Sequence, residues 1–598
     1  MRGMEVERED ILNKANDLIA EKKFEDAKDI LVAYAVETSD DDIEVQKTLG
    51  LCNINIDKYD EAKINFEKVV AVNTEDATSW YYLGMIYEEL DDINASQKAY
   101  ERVIVLREDY KDAYKNLAVV HLKLKNQDTA LEFAQKALTF DESDYQLYYI
   151  IGTAYTSKKE YEKAVEYLLK GIERNPEHPL MYNNLGSCYL ALNKMQDAQK
   201  AFEKSLEFNP NNATSQYNVA TSLQLQQKHS EALSYFKKSY ELDGGEFYLS
   251  AVALASINAK SWEDAIVYYQ KLVVLHPEKQ NYQYNLATAY HSLERYNEAI
   301  KILSQLVALN PKSVSMGQKL ADCYEKTNNN TLAKTVYTNL IKLGKVPPEV
   351  YYSYALFCMK TNDKDTAENI FKKVIQLDPK NAHAHKDLGV VYLSQRLFDY
   401  AKDEFDIAYK IAPNDASVVF EVANFYHAMN DFEKASELYD VAYKLDSSSM
   451  DINIFRALNN LRLNRVDLAL KQFLDANKKF PSQHTILFHI GIIYYQKQNY
   501  VASKEFLSDA YSLYQDAETV NALALTFYEA GEYENSKSLA LKLLQQYPDN
   551  INILLLLAKS YIELSDVENS IKYLEKIINI FPEQPEAKEL YERIKGVV

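Results

Sequence analysis

The residues of this chain best suited to chemistry are its ten histidines and four cysteines, Cys52, Cys188, Cys323 and Cys358. Thiolate and imidazole groups are the usual ligands of zinc, and paired cysteines carry thiol–disulfide exchange. None of the four cysteines stands in a CxxC or CxxH pattern, which zinc-binding and thioredoxin-like sites share. The spacing therefore favours small, buried thiols over a redox or metal site.

The histidines offer two close pairs, His383 with His385 and His484 with His489. Five positions separate the second pair, so the two side chains do not align on one helical face as i, i+4 residues would. No carboxylate or cysteine is spaced to complete a metal site, and there is no P-loop, GxSxG or GxGxxG motif. The sequence therefore predicts no catalytic residues, no metal, no cofactor and no enzymatic activity.

The charge of the chain restricts its partners. A net charge of −21 and a pI near 5.1 argue against nucleic acid, which binds through Lys and Arg that displace counterions, and against docking on anionic lipid. The N-terminal segment MRGMEVERED is charged, and no run of about 18 apolar residues exists. We expect a cytoplasmic protein without direct membrane insertion.

The elements that would position any site are set by a repeat of about 34 residues. The eighth position of each unit is Gly or Ala and the twentieth is Ala or Ser, which predicts two helices that approach closely at these positions. Apolar residues at i, i+3, i+4 and i+7 make each helix amphipathic. Seventeen units begin near residues 8, 43, 77, 111, 145, 179, 213, 246, 280, 314, 348, 382, 416, 450, 484, 517 and 551.

Two segments carry a family resemblance. ATSWYYLGMIY (77–87) has Trp, Leu, Gly and Tyr at positions 4, 7, 8 and 11, and FEKSLEFNP (202–210) has an aromatic residue at position 24 and Pro at position 32. These residues resemble the tetratricopeptide repeat. The resemblance implies an all-α fold, a right-handed superhelical α-solenoid of about seventeen tandem helix–turn–helix repeats.

The predicted domain organisation follows the repeats. We expect a leader over 1–7, ten repeats over 8–347, seven repeats over 348–584 and a capping helix over 585–598. The segment LGKVPPE (Leu343–Glu349) is the candidate hinge between the two halves, because the repeat before it lacks the usual proline at position 32.

In this family, positions 2, 5, 6, 9, 12 and 13 of each repeat line a concave groove, and an asparagine ladder at position 6 holds an extended peptide backbone. In the five repeats from 145 to 313 these thirty positions include no Asp, Glu, Lys or Arg, although 26% of the chain is charged. The ladder is broken at Ile150 and Ala251. The candidate peptide-binding residues are Asn116, Tyr149, Asn183, Asn184, Tyr217, Asn218, Tyr284 and Asn285.

The resemblance thus implies a non-catalytic scaffold that binds an extended or helical segment of a protein partner. One alternative is that Tyr at position 5 and Asn at position 6 are common in the family and bind nothing in particular. A second is a substrate-recruiting arm of a separate enzyme, such as a protein O-linked N-acetylglucosamine transferase. The aromatic residues at position 5 of alternate repeats indicate either a duplicated two-repeat block or a ladder of rings.

The groove positions turn apolar from residue 450 onward. An exposed apolar lining of this extent is typical of a partner or self-association surface, so a homo-oligomer formed through the C-terminal repeats is a third alternative. The candidate residues for this surface are Phe455, Leu458, Phe488, Ile492 and Tyr495.

Overall fold

The structure, a computed structural model, describes residues 2–38 and 42–596. Within these two ranges the chain forms thirty-five α-helices and no β-strand, which confirms the predicted all-α fold. The helices α1 to α34 form seventeen consecutive pairs that correspond to the predicted repeats, and α35 follows the last pair. We call the two members of a pair the first and the second helix of a repeat.

Contacts divide the chain into two compact units, Met1–Ala308 and Leu309–Val598. The helices up to this division are α1 (Arg2–Ala20), α2 (Phe24–Thr38), α3 (Ile43–Asn55), α4 (Tyr59–Val72), α5 (Ala77–Glu89), α6 (Ile93–Leu106), α7 (Lys111–Lys123), α8 (Gln127–Leu138), α9 (Tyr145–Ser157), α10 (Tyr161–Arg174), α11 (Pro179–Ala191), α12 (Met195–Phe208), α13 (Ala213–Leu225), α14 (His229–Leu242), α15 (Glu246–Asn258), α16 (Trp262–Leu275), α17 (Gln280–Ser292) and α18 (Tyr296–Leu309).

The second unit contains the remaining helices. They are α19 (Val314–Lys326), α20 (Asn330–Lys342), α21 (Pro348–Lys360), α22 (Lys364–Leu377), α23 (Ala382–Ser394), α24 (Phe398–Ile411), α25 (Ala416–Ala428), α26 (Phe432–Leu445), α27 (Met450–Arg462), α28 (Val466–Lys479), α29 (His484–Gln496), α30 (Tyr500–Leu513), α31 (Ala517–Glu529), α32 (Tyr533–Gln546), α33 (Ile551–Glu563), α34 (Val567–Ile580) and α35 (Pro585–Lys595). Within each unit successive helices pack against one another as in an α-solenoid.

Many first helices begin directly after a residue whose side chain caps the helix N-terminus. Asp76 accepts hydrogen bonds from the backbone N–H groups of Thr78 and Ser79 at 3.2 and 3.3 Å, and Asp415 caps α25 in the same way. Such caps satisfy backbone donors that the first turn leaves free. From the second repeat onward every first helix begins at its predicted residue, whereas α1 begins at Arg2, inside the segment expected to be a leader.

The turn between the two helices of a repeat has one geometry throughout. The residue at position 15 has a positive φ in all seventeen repeats, and only one of the seventeen, Gly531, is glycine. The residue after it donates its N–H to a carbonyl five residues earlier, as Lys194 does to Tyr189 at 2.8 Å. This Schellman-type closure satisfies the last carbonyls of the first helix.

The glycines at position 8 lie mainly against the ring or side chain at position 24. A Cβ atom on Gly186 would lie 2.6 Å from Cε1 of Phe202, and one on Gly84 would lie 2.5 Å from Cε1 of Tyr100. The helices therefore do approach closely at position 8. In these repeats the nearest neighbour of position 8 is the large side chain at position 24, rather than the small residue at position 20.

The junction Leu343–Glu349 joins α20 to α21 within the second unit. Gly344 has a φ of +74°, and Val346 is buried in a core cluster with Tyr337 and Val350. The hinge predicted at this junction, and the division of the array into repeats 8–347 and 348–584, remain predictions.

Candidate functional site

The thirty predicted groove positions between residues 146 and 292 form an exposed strip on the first helices α9 to α17. All of them except Ile150 keep some solvent exposure, whereas neighbouring positions such as Leu185 and Cys188 are buried. Positions 2, 5, 6, 9, 12 and 13 share one face because a helix turns once every 3.6 residues. We call this strip the neutral face, since it includes no Asp, Glu, Lys or Arg.

Four asparagine carboxamides at position 6 of the first unit are anchored by neighbouring side chains. Asn184 donates to the Thr153 hydroxyl at 3.1 Å, Asn218 to the side-chain amide oxygen (Oδ1) of Asn183 at 2.8 Å, and Asn285 to the Tyr269 hydroxyl at 2.9 Å. In each case one N–H of the amide is used. Because an amide has two N–H donors and one acceptor oxygen, further hydrogen-bonding capacity remains.

Asn116 differs from the other three asparagines. Its amide donates to the hydroxyls of both Tyr100, at 3.0 Å, and Tyr81, at 3.4 Å. Both N–H donors are therefore engaged within the protein. Of the predicted ladder, Asn184, Asn218 and Asn285 keep a donor for a ligand, and Asn116 does not.

Exposed apolar side chains accompany the carboxamides on the neutral face. Leu180, Leu225 and Leu254 are 47%, 48% and 49% exposed, and Phe247 is 61% exposed. Phe247 packs against the ring of Tyr217 with a centroid distance of 4.9 Å. The face therefore combines amides with apolar contacts and carries no charged side chain.

Several of the predicted aromatic residues at position 5 contact a ring at the start or on the first helix of the following repeat. Ring centroids lie 5.1 Å apart for Tyr81 and Tyr110, and 5.6 Å apart for Tyr149 and His178. In the second unit Phe420 lies 5.6 Å from Phe455. These half-buried rings pack between repeats, which explains aromatic residues at this position without a ladder of free rings.

Several predicted apolar residues of the C-terminal repeats are also engaged in packing. Phe488 and Ile492 pack against the cluster of Leu507 and Leu523, and Leu458 packs against another core cluster. Phe455 is 38% exposed, and Tyr495 is half-buried. The partner or self-association surface expected here stays a prediction.

Charged and hydroxyl groups at positions 5 and 6 form a network in the second unit, and these residues are not among the predicted site residues. Asp387 accepts a hydrogen bond from the Tyr352 hydroxyl at 2.6 Å and lies 3.1 Å from the Lys386 ammonium group. Burial raises the pKa of the Glu421 carboxyl at the same position of the next repeat. The sequence did contain a signal, because Asp387 and Glu421 stand at position 6 of two consecutive repeats, where several other repeats have asparagine.

The four cysteines and the pair His484 and His489 take part in packing. All four cysteines are buried with free thiols, and burial raises the pKa of Cys52 and Cys358 to about 11. His484 and His489 stack on the rings of Phe488 and Phe473. Among the described residues, no group of three or more His, Cys, Asp or Glu side chains is placed to hold a metal ion.

None of the helices in the described ranges has the length and apolar character needed to cross a bilayer.

Family models described as tetratricopeptide repeat match six segments of the chain. The segments are 87–146, 179–244, 256–323, 348–381, 456–518 and 527–594. Together they make up more than half of the sequence. A model described as anaphase-promoting complex, cyclosome, subunit 3 matches residues 123–205.

Solved structures with similar backbones include yeast Tom70, with 18% identity, a TM-score of 0.38, and coverage of 72% of this chain and 97% of the other. The APC/C hetero-tetramer Cut9–Hcn1 has 15% identity, a TM-score of 0.32 and coverage of 81% and 96%. Naa15/Naa10 bound to HypK-THB has 14% identity, a TM-score of 0.30 and coverage of 93% and 96%. No curated protein sequence matches the chain significantly. These similarities are too low to bear on what the chain binds.

Proposed function

The chain is a tetratricopeptide-repeat protein, and from that premise we propose that it is a non-catalytic scaffold whose neutral face holds an extended peptide segment of a partner protein. The observation that carries the proposal is the set of anchored carboxamides at Asn184, Asn218 and Asn285, each with one N–H already bonded within the protein. Anchoring reduces the entropy that an amide loses when it binds a ligand.

The chemistry of the face matches peptide backbone. A peptide unit presents one N–H donor and one C=O acceptor, and a carboxamide can bond to both. Because the face carries no charged side chain, it does not select for charged residues of the partner. Leu180, Leu225, Phe247 and Leu254 offer contacts for apolar side chains of the bound segment.

An extended segment fits this chemistry better than a helical one. The backbone N–H and C=O groups of a helix bond to each other, so a helical ligand would leave the free donors of Asn184 and Asn218 without backbone partners. Buried polar groups without partners cost free energy. The anchored carboxamides therefore favour an extended ligand.

The proposal can be tested with peptides selected by the purified full chain from a random display library. The Asn184→Ala, Asn218→Ala double variant should weaken binding of the selected peptides by about thirtyfold, since it removes two hydrogen bonds worth about 1 kcal/mol each. Asn211→Ala, an exposed asparagine outside the face, is the control and should change nothing. Calorimetry gives the affinities.

A second measurement separates backbone capture from side-chain contact. Selected peptides with N-methylated backbone should lose most of their affinity for the wild-type chain, because methylation removes the N–H donors. Undiminished binding of methylated peptides, or equal binding by the double variant, would contradict the proposal.

A further inference from the structure

The second helix α20 differs in charge from every other second helix. It is the one helix among α2, α4 and the other even-numbered helices to α34 without an Asp or Glu residue within its described bounds. Between Glu325 and Glu349 the chain has four lysines and no acidic residue. This segment is therefore positively charged, although the net charge of the whole chain is −21.

A cavity of about 540 Å³ lies along α20, in the second unit. This volume is within the range of roughly 300–1,000 Å³ that is typical of ligand pockets. Residues of α20, of the end of α21 and of the turn after α21 line it. The lining is mostly hydroxyl, carboxamide and ammonium groups, and it consists of Asn330, Thr331, Lys334, Thr335, Thr338, Asn339, Lys342, Phe357, Thr361 and Asp363.

The two lysines that line the cavity differ in whether an acidic side chain pairs with them. Lys334 forms an ion pair with Asp363 at 2.6 Å, so its charge is balanced within the protein. Lys342 is exposed, and no acidic group in the described part of the chain pairs with it. The cavity therefore has one uncompensated positive charge at the C-terminal end of α20.

The threonines of the cavity are poised to accept hydrogen bonds. Thr335 donates its hydroxyl proton to the carbonyl of Thr331 at 2.8 Å, and Thr338 donates to the carbonyl of Lys334 at 2.7 Å. The Thr338 oxygen also accepts from the Tyr354 hydroxyl at 3.4 Å. Since a hydroxyl has one donor and two acceptor lone pairs, both threonine oxygens keep at least one lone pair as an acceptor. A complementary ligand must supply N–H donors as well as a negative charge.

We propose that this cavity binds an acidic peptide segment of a partner protein. The carboxylate of a Glu or Asp residue pairs with the Lys342 ammonium group, and backbone N–H groups of the segment donate to Thr335 and Thr338. The carboxamides of Asn330 and Asn339 can bond to its backbone carbonyls. Inorganic phosphate offers the charge without a row of N–H donors, so it fits the lining less well. This site is separate from the neutral face, which carries no charge.

The test uses the full chain and a fluorescein-labelled peptide of twelve alternating Glu and Ser residues, with Gln–Ser and Lys–Ser peptides of the same length. Fluorescence anisotropy should show that only the Glu–Ser peptide binds, and that its affinity falls as salt rises. Lys342→Gln should weaken it about fivefold, and the charge reversal Lys342→Glu more than tenfold.

The matched control is Lys410→Glu. Lys410 is exposed and stands at position 29 of its repeat, as Lys342 does, but on α24, which carries several acidic residues. Lys410→Glu and the Asn184→Ala, Asn218→Ala double variant should leave Glu–Ser binding unchanged. Circular dichroism checks that each variant is folded.

Four results would overturn the proposal. They are the absence of Glu–Ser binding at millimolar peptide, equal binding of the Gln–Ser peptide, equal losses in the Lys342 and Lys410 variants, and displacement of the peptide by equimolar inorganic phosphate. The last result would identify a simple anion site in place of a peptide site.

Discussion

The two units carry different chemical groups at the same repeat position. Position 6 holds the carboxamides of Asn184 and Asn218 in the first unit, and the carboxylates of Asp387 and Glu421 in the second. Asp387 is only 7% exposed and is bonded to the Tyr352 hydroxyl. Asn184 and Asn218 are half-exposed.

The two units also differ in how many of the hydrogen bonds of these position-6 side chains are formed within the protein. Glu421 accepts a hydrogen bond from Asn424 at 3.2 Å, and Asn424 in turn accepts one from Tyr439 at 2.7 Å. The carboxamides of Asn184 and Asn218 each use only one N–H within the protein. At this repeat position Asp387 and Glu421 therefore serve internal packing, whereas Asn184 and Asn218 keep an N–H for the ligand that we propose.

The largest effect is expected from Asp387→Ala. The substitution leaves the Lys386 ammonium group and the Tyr352 hydroxyl without their partner, and should lower local stability by about 2 kcal/mol. Hydrogen exchange in α21 to α25 should become faster. Asn218→Ala, at the same position of the first unit, should cost less than about 1 kcal/mol. Equal losses would contradict the distinction between the units.

The second-largest effect expected is a pH dependence of stability that comes from His489, which also stands at position 6. Burial against Phe473 lowers the pKa of its imidazole from 6.5 to about 4. The unfolded chain therefore takes up a proton first, so stability present above pH 6.5 is lost as the pH falls from 6.5 towards 4.

Hydrogen exchange of α29 and α30, corrected for intrinsic rates, should show this loss between pH 7 and pH 5. His489→Phe should make that region less sensitive to acid. The asparagines at position 6 of the first unit do not titrate and give no such response. An unchanged pH dependence in His489→Phe would show that another group is responsible.

The smallest effect tests a feature that both units share. Lys159 and Arg396 occupy position 15 with φ of 63° and 61°, a conformation that costs a non-glycine residue about 1 kcal/mol. Lys159→Gly and Arg396→Gly should each stabilise their repeat by up to about 1 kcal/mol, in equal measure. Gly531→Lys should have the opposite sign. Thermal denaturation of the full chain measures all three, and unequal gains would show that the turns differ between the units.

Much of the fold could be predicted because its signals are local. The small residues at positions 8 and 20 and the proline at position 32 established the repeat length, and sixteen first helices begin at the predicted residue. The start of α1 was missed, because MRGMEVERED has no apolar periodicity that would mark it as helical.

The candidate site was predicted less completely. Asn184, Asn218 and Asn285 lie on an exposed face as expected, but Asn116 has both amide donors engaged by tyrosines. The cavity along α20 was not foreseen, because its lining comes from two segments, residues 330–342 and 357–363, that only stacking brings together.

The sequence by itself determined the repeat, the starts of sixteen first helices and the absence of charge on the neutral face. These depend on residue type and on spacing within about 34 positions. The tertiary structure alone decided which polar groups remain free. Asn116 contacts Tyr81, Asn184 contacts Thr153 and Asp387 contacts Tyr352, each about one repeat away in the sequence. Whether such a group has a hydrogen-bond partner depends on how the neighbouring helix pair packs, and residue type at a repeat position does not specify that.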